Sequence, residues 1–158
     1  MLAAADAGGS AAGGDDAAAE EDAANLKFGR DVHAGTEVLF NGEIAFLLNK
    51  RKSGVSNEQC EVFEKTLAYA GRFSKFRSRQ NMAQARQVLQ EVRDTDGNPL
   101  HTYEIAALCN LCPNDAAEAV TLVPTLHRVD AEALQRALNN LNSYTSLEHG
   151  GGGGGGGG

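Results

Sequence analysis

No stretch of this 158-residue chain approaches the roughly twenty consecutive apolar residues that a membrane helix needs. Its start carries no basic segment followed by an apolar core, so a secretory signal is not expected. Only three cysteines are present, too few for a disulfide scaffold, and they read as reduced thiols of the cytosol or nucleus. Motifs of catalysis are missing as well. There is no G-x-S-x-G, no H-E-x-x-H and no glycine-rich phosphate loop between a strand and a helix. The four histidines (His33, His101, His127 and His149) lie apart, in loops or near ends, and the sequence offers no candidate nucleophile with a base. The reading is therefore of a protein without catalytic residues and without a cofactor. Lys and Arg are absent from residues 1–26, which hold Asp6, Asp15, Asp16, Glu20, Glu21 and Asp22 among runs of Ala and Gly.

That asymmetry explains the formal charge of −7. Outside the first 26 residues, fifteen of the 21 acids face all 14 bases, so the rest of the chain is close to neutral. A global basic field of the kind that attracts nucleic acid is excluded, and any such contact has to be local. The acidic end reads as a solvating arm. Neither residues 1–25 nor the glycine run at 150–158 can bury enough apolar surface to offset chain entropy, so both are expected to be disordered. What remains is enough for one ordinary core.

The richest local signal is FEKTLAYAGRFSKFRSR, Phe63 to Arg79. Phe63, Leu67 and Ala70 recur at helical spacing, after which Arg72, Lys75, Arg77 and Arg79 interleave with Phe73 and Phe76. Two readings stand side by side. Alternating cations and rings can hold single-stranded RNA through phosphates and stacking. Alternatively, Phe73 and Phe76 both enter the core and leave ordinary solvated cations outside, which is the favoured reading on local grounds.

The remaining pattern is mostly helix. Leu26 to Phe28 reads as a short extended segment. Thr36 to Lys52 reads as a helix with Phe40, Ile44, Leu47 and Leu48 on one face, Lys50, Arg51 and Lys52 in its last turn, and Gly54 ending it. Ser56 with Gln59 fits a capping box, and Val55 with Cys60 a hydrophobic staple. Further helices are expected over 79–92, Tyr103–Leu111, from Asp115 to Pro124, and from Asp130 onward with Leu134, Leu138 and Leu141 buried. Short helices, short loops and almost no β signal imply a compact helical bundle.

Two metal-like motifs read blandly. Asp94-Thr95-Asp96-Gly97-Asn98 begins like a calcium loop, but Pro99 and Ile105 occupy its sixth and twelfth positions, where Gly and Glu are needed. It reads as a turn. Cys109-x-x-Cys112 has no second close pair to complete a zinc site, so both cysteines read as small buried hydrophobes and no metal is expected.

Several segments, in order, resemble one family. K-T-L-x-Y-x-x-R-F-x-x-F, then L-C-N-L-C-P at Leu108–Pro113, is similar to the fourth subunit of eukaryotic RNA polymerase II. So are L-x-F at Leu26–Phe28, L-F-N-G-E-I-A-F-L-L-N-K-R-K at Leu39–Lys52, L-H-T-Y-E-I-A-A-L at Leu100–Leu108, L-V-P-T-L and E-A-L-Q-R-A-L. The resemblance covers nearly all of residues 26–141, with Cys109 and the DTDGNP turn as departures from the pattern. It implies a mainly α protein, an HRDC-like helical bundle at 55–149 preceded by a short strand and an amphipathic helix at 26–54 that pack on a partner. It further implies a non-catalytic subunit that forms a stalk with the seventh polymerase subunit on the polymerase core. There it favours clamp closure, supports initiation and binds nascent RNA, in the nucleus with shuttling to the cytoplasm and no membrane contact. The partner-facing residues so implied are Phe28, Leu39, Ile44, Leu47 and Leu48, and the RNA candidates are Arg72, Lys75, Arg77 and Arg79. Physically, an apolar stripe set apart from the bundle by Gly54 calls for something to cover it. The alternatives are a subunit of a specialised plant-type polymerase and a free-standing HRDC-like nucleic-acid-binding module.

Overall fold

The computed structural model describes residues 21–29, 36–51, 60–76 and 78–146. Six α-helices account for most of them: α1 Asn41–Arg51, α2 Cys60–Phe73, α3 Arg79–Gln90, α4 Thr102–Leu111, α5 Ala116–Leu122 and α6 Ala131–Ser146. Short 3-10 segments lie at Ala23–Asn25 and Pro124–Arg128. The expected capping pair Ser56/Gln59, the Val55/Cys60 staple, Arg77, residues 1–20 and the glycine run fall outside what is described.

Helix starts follow side-chain chemistry. Ser78 caps α3 by accepting from Asn81 N, and Asp115 caps α5 by accepting from Glu118 N. Asp130 accepts the Ala133 N–H at the head of α6 at 2.9 Å. Helix α4 opens with a full capping box in which His101 takes the usual Ser or Thr place and Glu104 reaches back to its backbone N–H.

The first helix is shorter at its N-terminus than its periodicity predicts. Residues 36–40 lie outside the helix, and side chains engage their backbone groups. Val38 N donates to Thr102 Oγ1 at 2.9 Å, and Phe40 N donates to the Glu43 carboxylate at 3.2 Å. The helix therefore begins at Asn41, with Gly42 in its first turn. That glycine is a packing requirement. A Cβ there would stand 2.7 Å from Met82 Sδ, 2.9 Å from Ser74 Oγ and 3.3 Å from the Phe76 carbonyl.

The expected strand at Leu26–Phe28 is also corrected, since no strand occurs among the described residues. Asp22 instead caps the 3-10 turn through Ala24 N, and a single antiparallel bridge joins Asp22 to Lys27.

The core lies between α3, α4, α5 and α6. Met82, Ala85 and Leu89 of α3 meet Leu134, Leu138 and Leu141 of α6, with Ile105, Leu108, Ala119, Val123 and Leu126 completing it. The predicted stripe of α6 is buried as expected, and Val92 joins the core two residues beyond the end of α3. At roughly 1.5–3 kcal/mol for each large side chain withdrawn from water, this cluster is the main stabilising term. Residues 94–99 form the expected turn, with Gly97 at φ +85° and Asp94 Oδ1 accepting from Asp96 N and Asn98 N.

Helices α1 and α2 form a pair that packs mainly on itself and joins the core at one end. Phe40 and Phe76 make the joint, both almost fully buried and edge-to-face at 5.9 Å. This corrects the expectation that the first helix stands apart from the bundle: its N-terminal end is built into the core.

Candidate partner and nucleic-acid interface

Two buried ionic clusters fix the surfaces. Arg86 of α3 is almost buried and donates to Glu43 of α1 through Nε at 2.9 Å and Nη2 at 2.5 Å, and to the Val38 carbonyl at 3.0 Å. Glu37 lies 3.3 Å from Arg86 Nη1, and the guanidinium sits over the Phe40 ring. Burial disfavours the charged guanidinium, but the Glu43 and Glu37 carboxylates outweigh it and hold Arg86 protonated.

In the second cluster Glu104, with no exposed surface, accepts from both Arg128 terminal nitrogens (2.6 and 2.8 Å), Thr125 Oγ1 (2.5 Å) and His101 N (2.7 Å). Burial acts to raise its carboxyl pKa. The donors prevail and keep it below the ordinary carboxylate value. Arg128 Nε also reaches Asp94 at 3.1 Å, tying the 94–99 turn to the bundle.

The residues implied to face a partner divide into two sets. Leu39 and Leu47 are exposed, at 39% and 47%, while Ile44 and Leu48 are half-buried on α1. Phe28 is instead taken up by its own chain, stacked on His101 at 5.1 Å and beside Tyr103 at 5.2 Å. Helix α2 adds exposed apolar residues that the pattern did not single out: Val62, at 73%, and Tyr69. These are among the large apolar side chains that the α1–α2 pair and the residue before it leave exposed, with Tyr69 on the side of the groove described next.

The basic–aromatic stretch borders a groove of about 930 Å³ that runs from the end of α2 to the ends of α4 and α6. Tyr69, Arg72, Phe73 and Lys75 form one wall, and Asn110 and Cys112 belong to the other. Phe76 is in the core, whereas Phe73 is 47% exposed and pairs with Tyr69 at 4.7 Å beneath Arg72. The reading that both rings enter the core is thus right for one of them. Arg79 lies apart from this wall, over Phe46 on α1 at 5.4 Å.

Cys109 is buried and Cys112 partly so, and Cys112 takes the left-handed cap of α4 at φ +47°. Burial raises both thiols, Cys109 strongly and Cys112 to about 11, despite the nearby Lys75 cation. Among the described residues no group of three or more His, Cys, Asp or Glu could hold a metal ion. No described helix is long and apolar enough to cross a membrane.

The sequence whose described residues form these six helices and surfaces matches a known family. The profile of the RNA polymerase Rpb4 family matches residues 15–145, and the chain belongs to that family. It is 34% identical over 143 residues to the DNA-directed RNA polymerase II subunit rpb4 of Dictyostelium discoideum, covering 77% of this chain and 87% of the relative. It is 33% identical to DNA-directed RNA polymerase II subunit 4 of Arabidopsis thaliana (77% and 91%) and 32% identical to subunit rpb4 of Schizosaccharomyces pombe (77% and 90%).

Proposed function

We propose that this chain is the fourth subunit of nuclear RNA polymerase II, without catalytic chemistry of its own, and that it pairs with the seventh subunit to form the stalk on the polymerase core. The observation that carries the reading is the family match over residues 15–145, reinforced by three relatives that bear the subunit's name and match along about nine-tenths of their length. The outer surface of the α1–α2 pair supports the pairing. Leu39 just before α1, Leu47 on α1 and Val62 on α2 are large apolar residues left exposed, and covering them favours association. Ile44 and Leu48 are half-buried on the same helix as Leu47, and Phe28 braces the segment that leads into it. In this reading the pair supports initiation by favouring clamp closure, and Arg72, Lys75, Arg77 and Arg79 supply a local basic surface for emerging RNA.

Co-expression with the seventh subunit from the same source, followed by size-exclusion chromatography, tests the reading. A stable one-to-one complex is expected. A well-folded monomer that ignores the seventh subunit overturns the pairing.

A further inference from the structure

The start of helix α4 depends on the protonation state of one ring. Nδ1 of His101 accepts the Tyr103 N–H at 3.1 Å. The neutral imidazole therefore carries its proton on Nε2, which has no hydrogen-bond partner among the described residues. The same ring lies nearly parallel to Phe28, at 5.1 Å with 15° between the planes.

Phe28 is the aromatic anchor of a segment that makes no described hydrogen bond to the bundle. Among the described residues, the hydrogen bonds of 21–29 close within that stretch; Asp22 and Lys27, for example, exchange backbone bonds at 2.8 and 2.9 Å. Packing is what attaches it, through Phe28 on His101 and Tyr103 and through its 3-10 turn beside Pro124–Arg128.

We propose that His101 is a proton-sensitive latch: neutral, it caps α4 and seats Phe28, and protonated, it loses the cap and lets the 21–29 segment leave the bundle. The inference goes beyond the stalk reading and does not depend on it.

Hydrogen-bond chemistry sets the direction. Imidazolium donates at both nitrogens, so a protonated Nδ1 meets the Tyr103 N–H donor to donor, and the ring has to turn out of the cap. Positive charge is also disfavoured at a helix N-terminus. His101 is half-buried, so the turned ring reaches water, where the charged form is better solvated.

The charges around the ring do not replace the lost bond. On α4, the Glu104 carboxylate is already engaged by Arg128, Thr125 and His101 N. The Pro124–Arg128 segment brings Arg128, which also holds Asp94, and His127, whose Nδ1 lies on the Pro124 carbonyl. Before α1, where Val38 N bonds Thr102, Glu37 is paired with Arg86. The first segment brings Asp22, closed on its own turn, the exposed Lys27, and Glu21, whose carboxylate lies against Gly29. Attraction to Glu104 and to the Phe28 face favours a charged ring in place. The donor-to-donor contact with Tyr103 opposes it and decides, because the cap geometry requires a lone pair on Nδ1.

The test is NMR of the full, isotope-labelled chain. At about pH 8 the long-range ¹H–¹⁵N spectrum is expected to place the His101 proton on Nε2; an Nδ1–H ring overturns the proposal. The titration then runs from about pH 8 to about pH 5, above the range in which Glu104 loses its charge. The Tyr103 amide and the Phe28 ring are expected to shift along the His101 titration, and the nuclear Overhauser contact between the His101 and Phe28 rings to fall by about half or more. His101→Asn keeps a capping side chain that does not titrate; it is expected to retain α4 and abolish the response. His127→Gln is expected to leave the response unchanged. A ring contact that survives undiminished at about pH 5 overturns the latch. So does a response that persists in His101→Asn or vanishes in His127→Gln.

Discussion

Arg86 on α3 and Glu43 on α1, 43 positions apart in sequence, form a two-pronged ion pair beneath the Phe40 ring. Glu43 also accepts the Phe40 N–H, so one carboxylate both starts α1 and fastens it to the bundle. Removing Arg86 leaves that carboxylate, four-fifths buried, without its counter-ion. Arg86→Ala is expected to cost about 3 kcal/mol or more in urea unfolding. Replacing Arg86 and Glu43 together by Met and Leu is expected to recover much of that loss, since no buried charge is then stranded.

Glu104 gives the acid sensitivity a direction. Its folded pKa lies below the ordinary value of 4.5, so the stability it contributes is present above that value and is lost as pH falls through the lower folded one. Asp94, also held low despite the opposing effect of burial, acts in the same sense. Urea titrations between pH 7 and pH 3 are expected to show a steep fall below about pH 4.5. The Glu104→Gln chain is expected to be less stable at pH 7 by about 2–4 kcal/mol, with a shallower acid limb.

Gly42 tests the joint between the helix pair and the bundle. Helix propensity alone favours Ala there by about 1 kcal/mol. The contacts a Cβ would make with Met82, Ser74 and the Phe76 carbonyl oppose it. Gly42→Ala is expected to be destabilising by about 1–2 kcal/mol, and Gly42→Val by more, read from denaturant midpoints.

The thiols should divide by burial. At pH 8, Cys109 is expected to be inert to a soluble disulfide reagent until the chain unfolds, because desolvation suppresses its thiolate. Cys112, at about 11, should react slowly in the folded chain. Mass mapping of labelled cysteines separates the two.

Charge placed on the outer surface should act on pairing alone. Leu47→Asp and Val62→Asp alter exposed positions and are expected to leave the unfolding midpoint within about 0.5 kcal/mol of the parent. In a pull-down with the seventh subunit each should weaken capture about tenfold or more. Undiminished capture by both places the interface elsewhere.

Local signals carried much of the fold. Asp115 and Asp130 announce the starts of α5 and α6 through contacts three residues long, and the spacing of Leu134, Leu138 and Leu141 exposes the buried stripe directly. What periodicity alone missed depends on distant partners. Residues 36–40 fit a helix by pattern, yet Thr102 and Glu43 claim their backbone groups. His101 is an unusual cap whose role shows only when Glu104 is seen bonded to its backbone N–H. Arg86 carries no local sign of burial, because its partners are Glu43 of α1 and the Val38 carbonyl in the segment before that helix. The groove gathers positions near 41, 72, 111 and 143, so no window of sequence contains it. Val62 sits before the first turn of the stripe read from Phe63, which hid its exposure.

The joint at Phe40, Phe76 and Gly42 has a mechanical consequence. Helix α1 extends about 16 Å from that joint, and the close contacts around Gly42 and between Phe40 and Phe76 restrict pivoting at its base. A load applied near Leu47 is therefore passed to α3 through Met82 and Arg86 as displacement of the whole body. The helix pair is a lever with a stiff fulcrum, and whatever grips its tip steers the bundle.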